Sequence, residues 1–252
     1  MTFNLATFKY RKILAQKGGP VVRLDCSPKE IRQGEFGYEA RAELADSSCF
    51  GLGSHETKEV AMHKAISEAL ERWAFYEMKH SAKKSRFGFD LDPSTTGMAA
   101  FPGLFKTEAR HLAYAEALER YAVLGWWNRE LPAISRSYKK DIEALEIRTF
   151  HTNKVTAILW HRELSGHVYY YGFSSGESLN EACHRAEVEL WRKKKVTQYP
   201  ESHKFFLETL EFTQKLHSTS KSPKILIDEE IKGPWSKYAT VWRCLMGDIK
   251  DN

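Results

Sequence analysis

Three stretches of this chain follow one pattern: AMHKAISEALERWAF from Ala61, ARHLAYAEALERYAV from Ala109 and ACHRAEVELWRKKKV from Ala182. In register all three spell A-x-H-x-A-x-x-E. Ala61, His63, Ala65 and Glu68 thus align with Ala109, His111, Ala113 and Glu116, and with Ala182, His184, Ala186 and Glu189. The first two copies also share A-L-E-R, which adds Glu71-Arg72 and Glu119-Arg120. Alanine, leucine and glutamate are strong helix formers, so each copy reads as a helix. Histidine and glutamate returning at fixed offsets say more: the three helices follow one plan, and internal repetition governs the fold.

What precedes each copy supports that reading. Tyr38 to Leu44 alternates apolar and charged residues, the pattern of a half-buried strand, and leads to a glycine-rich turn at Phe50-Gly51-Leu52-Gly53. Thr57 is placed to cap the first helix. Asp92 to Gly97 marks a turn, Met98 to Phe101 a short strand, and Thr107 is placed to cap the second helix. Ile147 to Phe150, Val155 to Trp160 and Val168 to Phe173 are β-branched and aromatic runs. The last two form a hairpin candidate across Ser165-Gly166, and Tyr171 to Gly176 leads into the third helix. The expected fold class is α/β: a single domain over residues 1–252, with three repeated β-turn-α units packing glutamate-bearing helices around a cleft. Residues 1–20 form an N-terminal arm, 49–195 the motif-bearing core and 196–252 a C-terminal helical and mixed segment. That segment includes an amphipathic stretch from Glu201 to Leu216 and a final mixed segment ending in Val241 to Met246.

Composition removes several classes of function. No apolar run is long enough to span a bilayer, and MTFNLATFKYRK carries no export pattern, so a cytoplasmic protein is expected. Cys26, Cys49, Cys183 and Cys244 are widely spaced and make neither a disulfide framework nor a thiolate zinc site. The formal net charge of +5 is compatible with nucleotide phosphates or an acidic partner but reads first as solubility; a nucleic-acid partner is not expected. Neither G-x-x-x-x-G-K-[ST] nor G-x-S-x-G occurs.

The first helix, taken alone, is explained as amphipathic. Met62, Ala65, Ile66, Ala69, Leu70, Trp73 and Tyr76 share one face, with Lys64, Ser67, Glu68, Glu71 and Arg72 opposite and a Glu68–Arg72 pair at i,i+4. The second helix is apolar on nearly every side, which predicts burial and leaves Glu116 and Glu119 needing a counter-charge. Arg72 and Arg120 do not suffice for Glu68, Glu71, Glu116, Glu119 and Glu189. Magnesium, which takes oxygen ligands and shares its shell with phosphates, would supply the rest. The three histidines fall about 140° around the helix from the glutamates and read as structural. Arg192 to Lys195 reads as a solvated helix end, and the Trp126-Trp127 and Tyr169-Tyr170-Tyr171 clusters as core.

These residues resemble the YcaO family of ATP-dependent enzymes that activate backbone amides of peptides. The matching stretches are EALERWA (Glu68 to Ala74), STTGMAA (Ser94 to Ala100), EALERYAVLGWW (Glu116 to Trp127) and GFSSGESLNEACHRAEVEL (Gly172 to Leu190). The resemblance implies ATP and Mg2+ as cofactors, with Glu68, Glu71, Glu116, Glu119 and Glu189 as magnesium ligands. It implies phosphate contacts from Arg120, Arg72 and Arg185. In such enzymes a nucleophile attacks a peptide carbonyl and the hemiorthoamide oxygen is phosphorylated and expelled as phosphate, giving an azoline, thioamide or amidine. No residue of this chain is assigned a catalytic role.

The chain departs from the family at three places. Gly51-Leu52-Gly53 stands where relatives carry G-K-G, Lys64 stands where a serine is common, and Thr96 replaces the asparagine of S-T-N-G. Lys64 would then either replace a phosphate contact or fill the site with its own charge. Two readings follow. One is an enzyme acting on a ribosomally made peptide or a protein, with a partner for substrate binding or sulfur delivery. The other is a non-catalytic YcaO-like subunit that holds a peptide or a catalytic partner. Either implies a homodimer or a heteromeric complex.

Overall fold

Glycines in this chain mark where helices lie directly on strands. The structure, a computed structural model, describes residues 10–45, 49–91, 97–102, 105–128, 130–149, 152–162, 168–194 and 223–247. The expected turns at 92–96 and 165–166, the amphipathic stretch at 201–216 and the first nine residues of the arm lie outside them. The chain forms two compact units. Residues up to Ala117 and Ile225–Leu245 make the first; Leu118–Lys224 and the residues from Met246 make the second.

In the first unit, β1 (Val21–Arg32), β2 (Glu35–Leu44) and β3 (Phe50–His55) form an antiparallel sheet in that order. Ala40, Ala42 and Leu44 of β2 are buried in a core with Ala61, Ala65, Ile66, Ala69 and Leu70 of helix α1 (Lys58–Lys79), as the alternation required. The glycine-rich stretch 50–53, expected as a turn, is strand β3. A Cβ on Gly51 would lie 2.0 Å from the Ala65 carbonyl oxygen, and one on Gly53 would lie 2.1 Å from that of Ala61. Only a bare strand admits a helix this close, and the alanines serve that approach. Thr57 occupies the N-cap position, but its hydroxyl lies 3.2 Å from His55 Nδ1 and makes no capping bond.

The same unit holds β4 (Met98–Pro102), β9 (Lys224–Ile231) and β10 (Ala239–Gly247), in sheet order β4-β10-β9. β4 is buried along its whole length and pairs antiparallel with β10, Met98 opposite Arg243 and Pro102 opposite Ala239. Helix α2 (Lys106–Trp127) begins before Thr107, so Thr107 lies inside it rather than capping it. Its N-terminal half is tied to β9 by Lys106–Glu230 (2.8 Å) and Arg110–Asp228 (2.5 Å), and Arg86 reaches Glu229 at 2.9 Å. Burial of α2 is confined to a stripe: Ala109, Ala113, Ala117, Leu118, Ala122, Val123 and Trp126 are buried, whereas Leu112 and Leu124 are exposed at 45% and 47%. Burial on all sides, as expected from the sequence, is therefore incorrect. Alanine provides a narrow buried track on which strands can lie, and the leucines fall outside it.

In the second unit β5 (Ile134–Lys139), β6 (Ile142–Arg148), β7 (Val155–Arg162) and β8 (Val168–Gly176) form an antiparallel sheet in chain order. Leu145, Ile147, Ile158 and Trp160 pack with Ala122, Val123 and Trp126 of α2. Residues of the opposite alternation, Ile142, Ala144, Ala157 and Leu159, pack with Ala182, Cys183, Ala186 and Leu190 of α3 (Leu179–Lys194). Gly172 of β8 allows this contact, since its Cβ would lie 2.3 Å from the Ala186 carbonyl oxygen. Trp126 is buried and Trp127 lies 6.4 Å from Tyr171, so these aromatics belong to a core cluster. Two buried glutamates have cationic partners: Glu187 accepts from Lys139 (2.9 Å) and Tyr138 (3.1 Å), and Glu146 pairs with Arg136 and Arg148.

Each of the three α-helices among the described residues follows a strand, β3, β4 and β8 respectively. All four cysteines are free, and burial pushes the thiols of Cys183 and Cys244 up to about 11 and about 12. No helix among the described residues is long and apolar enough to cross a membrane.

Candidate functional site

The five glutamates singled out by the sequence sort into two groups, one in each unit. In the first, Glu68 and Glu71 stand on α1 and Glu116 on α2. Glu68 accepts the Leu52 backbone N–H at 2.7 Å and a bond from the Arg72 Nη2 at 2.7 Å, so both its oxygens are engaged. Glu71 differs. It lies deep in the protein yet keeps partial solvent access. Burial pushes its carboxyl well above the usual range, and the charges of Glu116 and Glu68 push it further; Arg72 and Arg243 pull the other way. No donor among the described residues hydrogen-bonds the Glu71 carboxylate.

Arg243 escaped the sequence reading. It is fully buried on β10, donates through Nε to the Phe87 carbonyl (3.2 Å) and lies 4.5 Å from the Phe89 ring centre. Its signal was present as one arginine inside the apolar run Val241 to Leu245. Tyr10 was also missed. Its side chain is buried, and its hydroxyl lies 3.0 Å from Ser67 Oγ, one turn before Glu71.

In the second unit Glu119 of α2 accepts the Ser175 backbone N–H at 2.9 Å. Its carboxyl is raised to about 7, chiefly by burial; the Ser175 bond opposes this, the Glu189 charge adds to it, and Arg120 and the Ser174 hydroxyl oppose it. Glu189 on α3 is partly exposed and pairs with Arg192 at 2.8 Å.

The cationic candidates fall as follows. Arg72 and Arg120 are half-buried beside their glutamates. Lys64 is exposed and donates to the Ser54 carbonyl at 3.3 Å. Arg185 is exposed, pairs with Glu181 at 2.5 Å and donates to the Ser175 carbonyl at 3.3 Å. The repeat histidines do not share an environment. His63 is buried between Tyr10 and Phe101, its imidazolium disfavoured by burial and by Lys64 so that it titrates at about 4; His111 and His184 are exposed.

Among the described residues no three or more His, Cys, Asp or Glu side chains converge tightly enough to hold a metal ion unaided. Magnesium is commonly held by one or two carboxylates with waters and phosphates completing the shell. Glu71 and Glu116 give such a pair, the charge of Glu116 raising the Glu71 carboxyl. Glu119 and Glu189 give another. The donor sets fit a phosphate-bound magnesium.

No protein-family model and no curated protein matches the chain. Among solved structures it has a YcaO-like fold. One match is to YcaO from Methanopyrus kandleri, bound with AMPPCP and Mg2+, at a TM-score of 0.60 over 96% of this chain and 88% of that one. Sequence identity is 12%, so the likeness shows the fold alone.

Proposed function

We propose that this chain is an ATP- and Mg2+-dependent enzyme that activates a backbone amide of a ribosomally made peptide or protein by phosphorylation, giving an azoline, thioamide or amidine. One observation carries the reading: Glu71 is deep, faces the like charges of Glu116 and Glu68, keeps solvent access and has no hydrogen-bond donor among the described residues. Arg72 and Arg243 offset only part of that like charge, and a carboxylate so placed is stabilised by a proton or by a further cation. The fold shared with a YcaO structure that holds AMPPCP and Mg2+ supports the choice of cation and nucleotide.

In this reading Glu71 and Glu116 hold one magnesium ion, and Glu119 and Glu189 a second. Bound magnesium would neutralise charge on the phosphates and on the departing oxygen. Glu68 keeps β3 and Arg72 in place through its two bonds. Arg72 and Arg120 meet phosphate oxygens, with Lys64 and Arg185 as outer contacts. The three strand-helix units serve as repeated mounts for these glutamates. A separate protein that presents the peptide or delivers sulfur completes the proposal, with the chain working as a homodimer or in a heteromeric complex.

Calorimetric titration with ATP, with and without Mg2+, tests this on the wild type, Glu71→Gln and Glu119→Gln. Magnesium-dependent binding that both substitutions abolish is expected. Absence of binding by the wild type, or binding unchanged in both variants, would refute the assignment.

A further inference from the structure

The arginines of the two E-x-x-E-R motifs both lie over phenylalanine rings. In the first unit the Arg72 guanidinium carbon is 5.1 Å from the Phe50 ring centre; in the second, that of Arg120 is 5.3 Å from the Phe173 ring centre. Each ring neighbours a glycine that lets a helix lie directly on its strand, Phe50 beside Gly51 and Phe173 beside Gly172. Two residues beyond each ring, a backbone N–H holds a motif glutamate: Leu52 to Glu68 at 2.7 Å and Ser175 to Glu119 at 2.9 Å. One strand therefore fixes the glutamate by its backbone and the arginine by its side chain, and the arrangement occurs once in each unit.

We infer that Phe50 and Phe173 are positioning residues that hold the guanidinium groups of Arg72 and Arg120 in fixed planes beside the motif glutamates. An arginine near several carboxylates has many rotamers and can fold onto any of them, which costs it reach and orientation. A ring beneath the guanidinium restricts it to one plane and orients its N–H edge for bidentate contact with an oxyanion. Phe50 also carries Arg41, whose guanidinium carbon is 4.4 Å from the ring centre and whose Nε is bound to Glu43 at 2.7 Å. Arg41 pairs with a carboxylate outside the two motifs and serves as a control. Only the identity of the oxyanion, a nucleotide phosphate, rests on the functional reading above.

The test is arginine side-chain 15Nε relaxation together with MgATP titration on the wild type, Phe50→Leu, Phe173→Leu, the two tyrosine counterparts and Arg41→Ala. In Phe50→Leu the Arg72 Nε becomes mobile while Arg120 keeps its order, and MgATP affinity falls about two- to five-fold, the range of an exposed cation–π contact. Phe173→Leu does the same to Arg120. Tyrosine at either position restores both readouts, and Arg41→Ala changes neither. Equal Arg72 order in the wild type and Phe50→Leu, or failure of tyrosine to restore it, overturns the inference. Should Phe173→Leu not fold, Phe50 decides. A wild type that binds no MgATP while the relaxation results hold removes the functional reading and upholds the positioning role. Binding with unchanged Nε order removes the positioning role alone.

Discussion

Replacing Glu119 by glutamine should make the metal-free protein more stable at pH 8. The carboxyl titrates at about 7 in the folded chain against an ordinary 4.5. Folded-state raising of an acid means that the unfolded chain ionises first. Stability is therefore full below about 4.5, declines as pH rises, and reaches its lower plateau above about 7. A difference of that size corresponds to about 3 kcal/mol at most, since each unit is worth about 1.4 kcal/mol. The side chain keeps some solvent access, so about 1–3 kcal/mol is the reasonable range. Glutamine keeps an oxygen for the Ser175 N–H (2.9 Å) and removes the charge. Urea unfolding in EDTA at pH 5 and pH 8 measures this. The difference between wild type and Glu119→Gln isolates the one carboxyl, because other titrating groups such as His63 cancel. The variant should gain at pH 8 and gain little at pH 5. An equal effect at both values, or a loss at pH 8, would show that the charge at Glu119 is already compensated and refute the argument for a missing cation.

Three further changes test the packing. Gly51→Ala puts a methyl group 2.0 Å from the Ala65 carbonyl oxygen, so strand and helix must separate; a loss of about 1–3 kcal/mol in urea unfolding is expected. Arg243→Met removes a fully buried cation and leaves the Phe87 carbonyl and Glu71 without it; a loss of about 3–5 kcal/mol by thermal melting follows. Glu187→Ala leaves Tyr138 and the part-exposed Lys139 without their shared acceptor and should cost about 1–3 kcal/mol, whereas Lys154→Ala at a pair with an exposed partner should cost under about 1 kcal/mol.

The helices were legible because their registers repeat, and β2, β4, β7 and β8 because apolar residues alternate or run together in them. β1, β5, β9 and β10 were not. β1 mixes Arg23, Asp25, Pro28, Lys29 and Glu30 with apolar residues because it is an edge strand with one side open. β9 contains Asp228-Glu229-Glu230, a sequence that disfavours strands in isolation. Its partners, Arg110, Arg86 and Lys106, lie more than a hundred residues away. The candidate glutamates were visible as a pattern, but their division between two units was not, since Glu116 and Glu119 are three residues apart on one helix. Arg243 stayed hidden because a lone arginine in an apolar run gives no hint of the carbonyl and ring that receive it.

The pairing of β4 with β10 sets an order for synthesis. β4 is buried throughout, yet the strand it pairs with leaves the ribosome only after the whole segment from Leu118 to Lys224 has emerged. The second unit is nearly continuous in the chain and can close on itself early. The first must wait with an apolar strand uncovered, a state prone to mispairing. A chaperone that shields Met98–Pro102 during that interval would raise the yield of folded protein, and a chain truncated before Ala239 would never mature in its first unit.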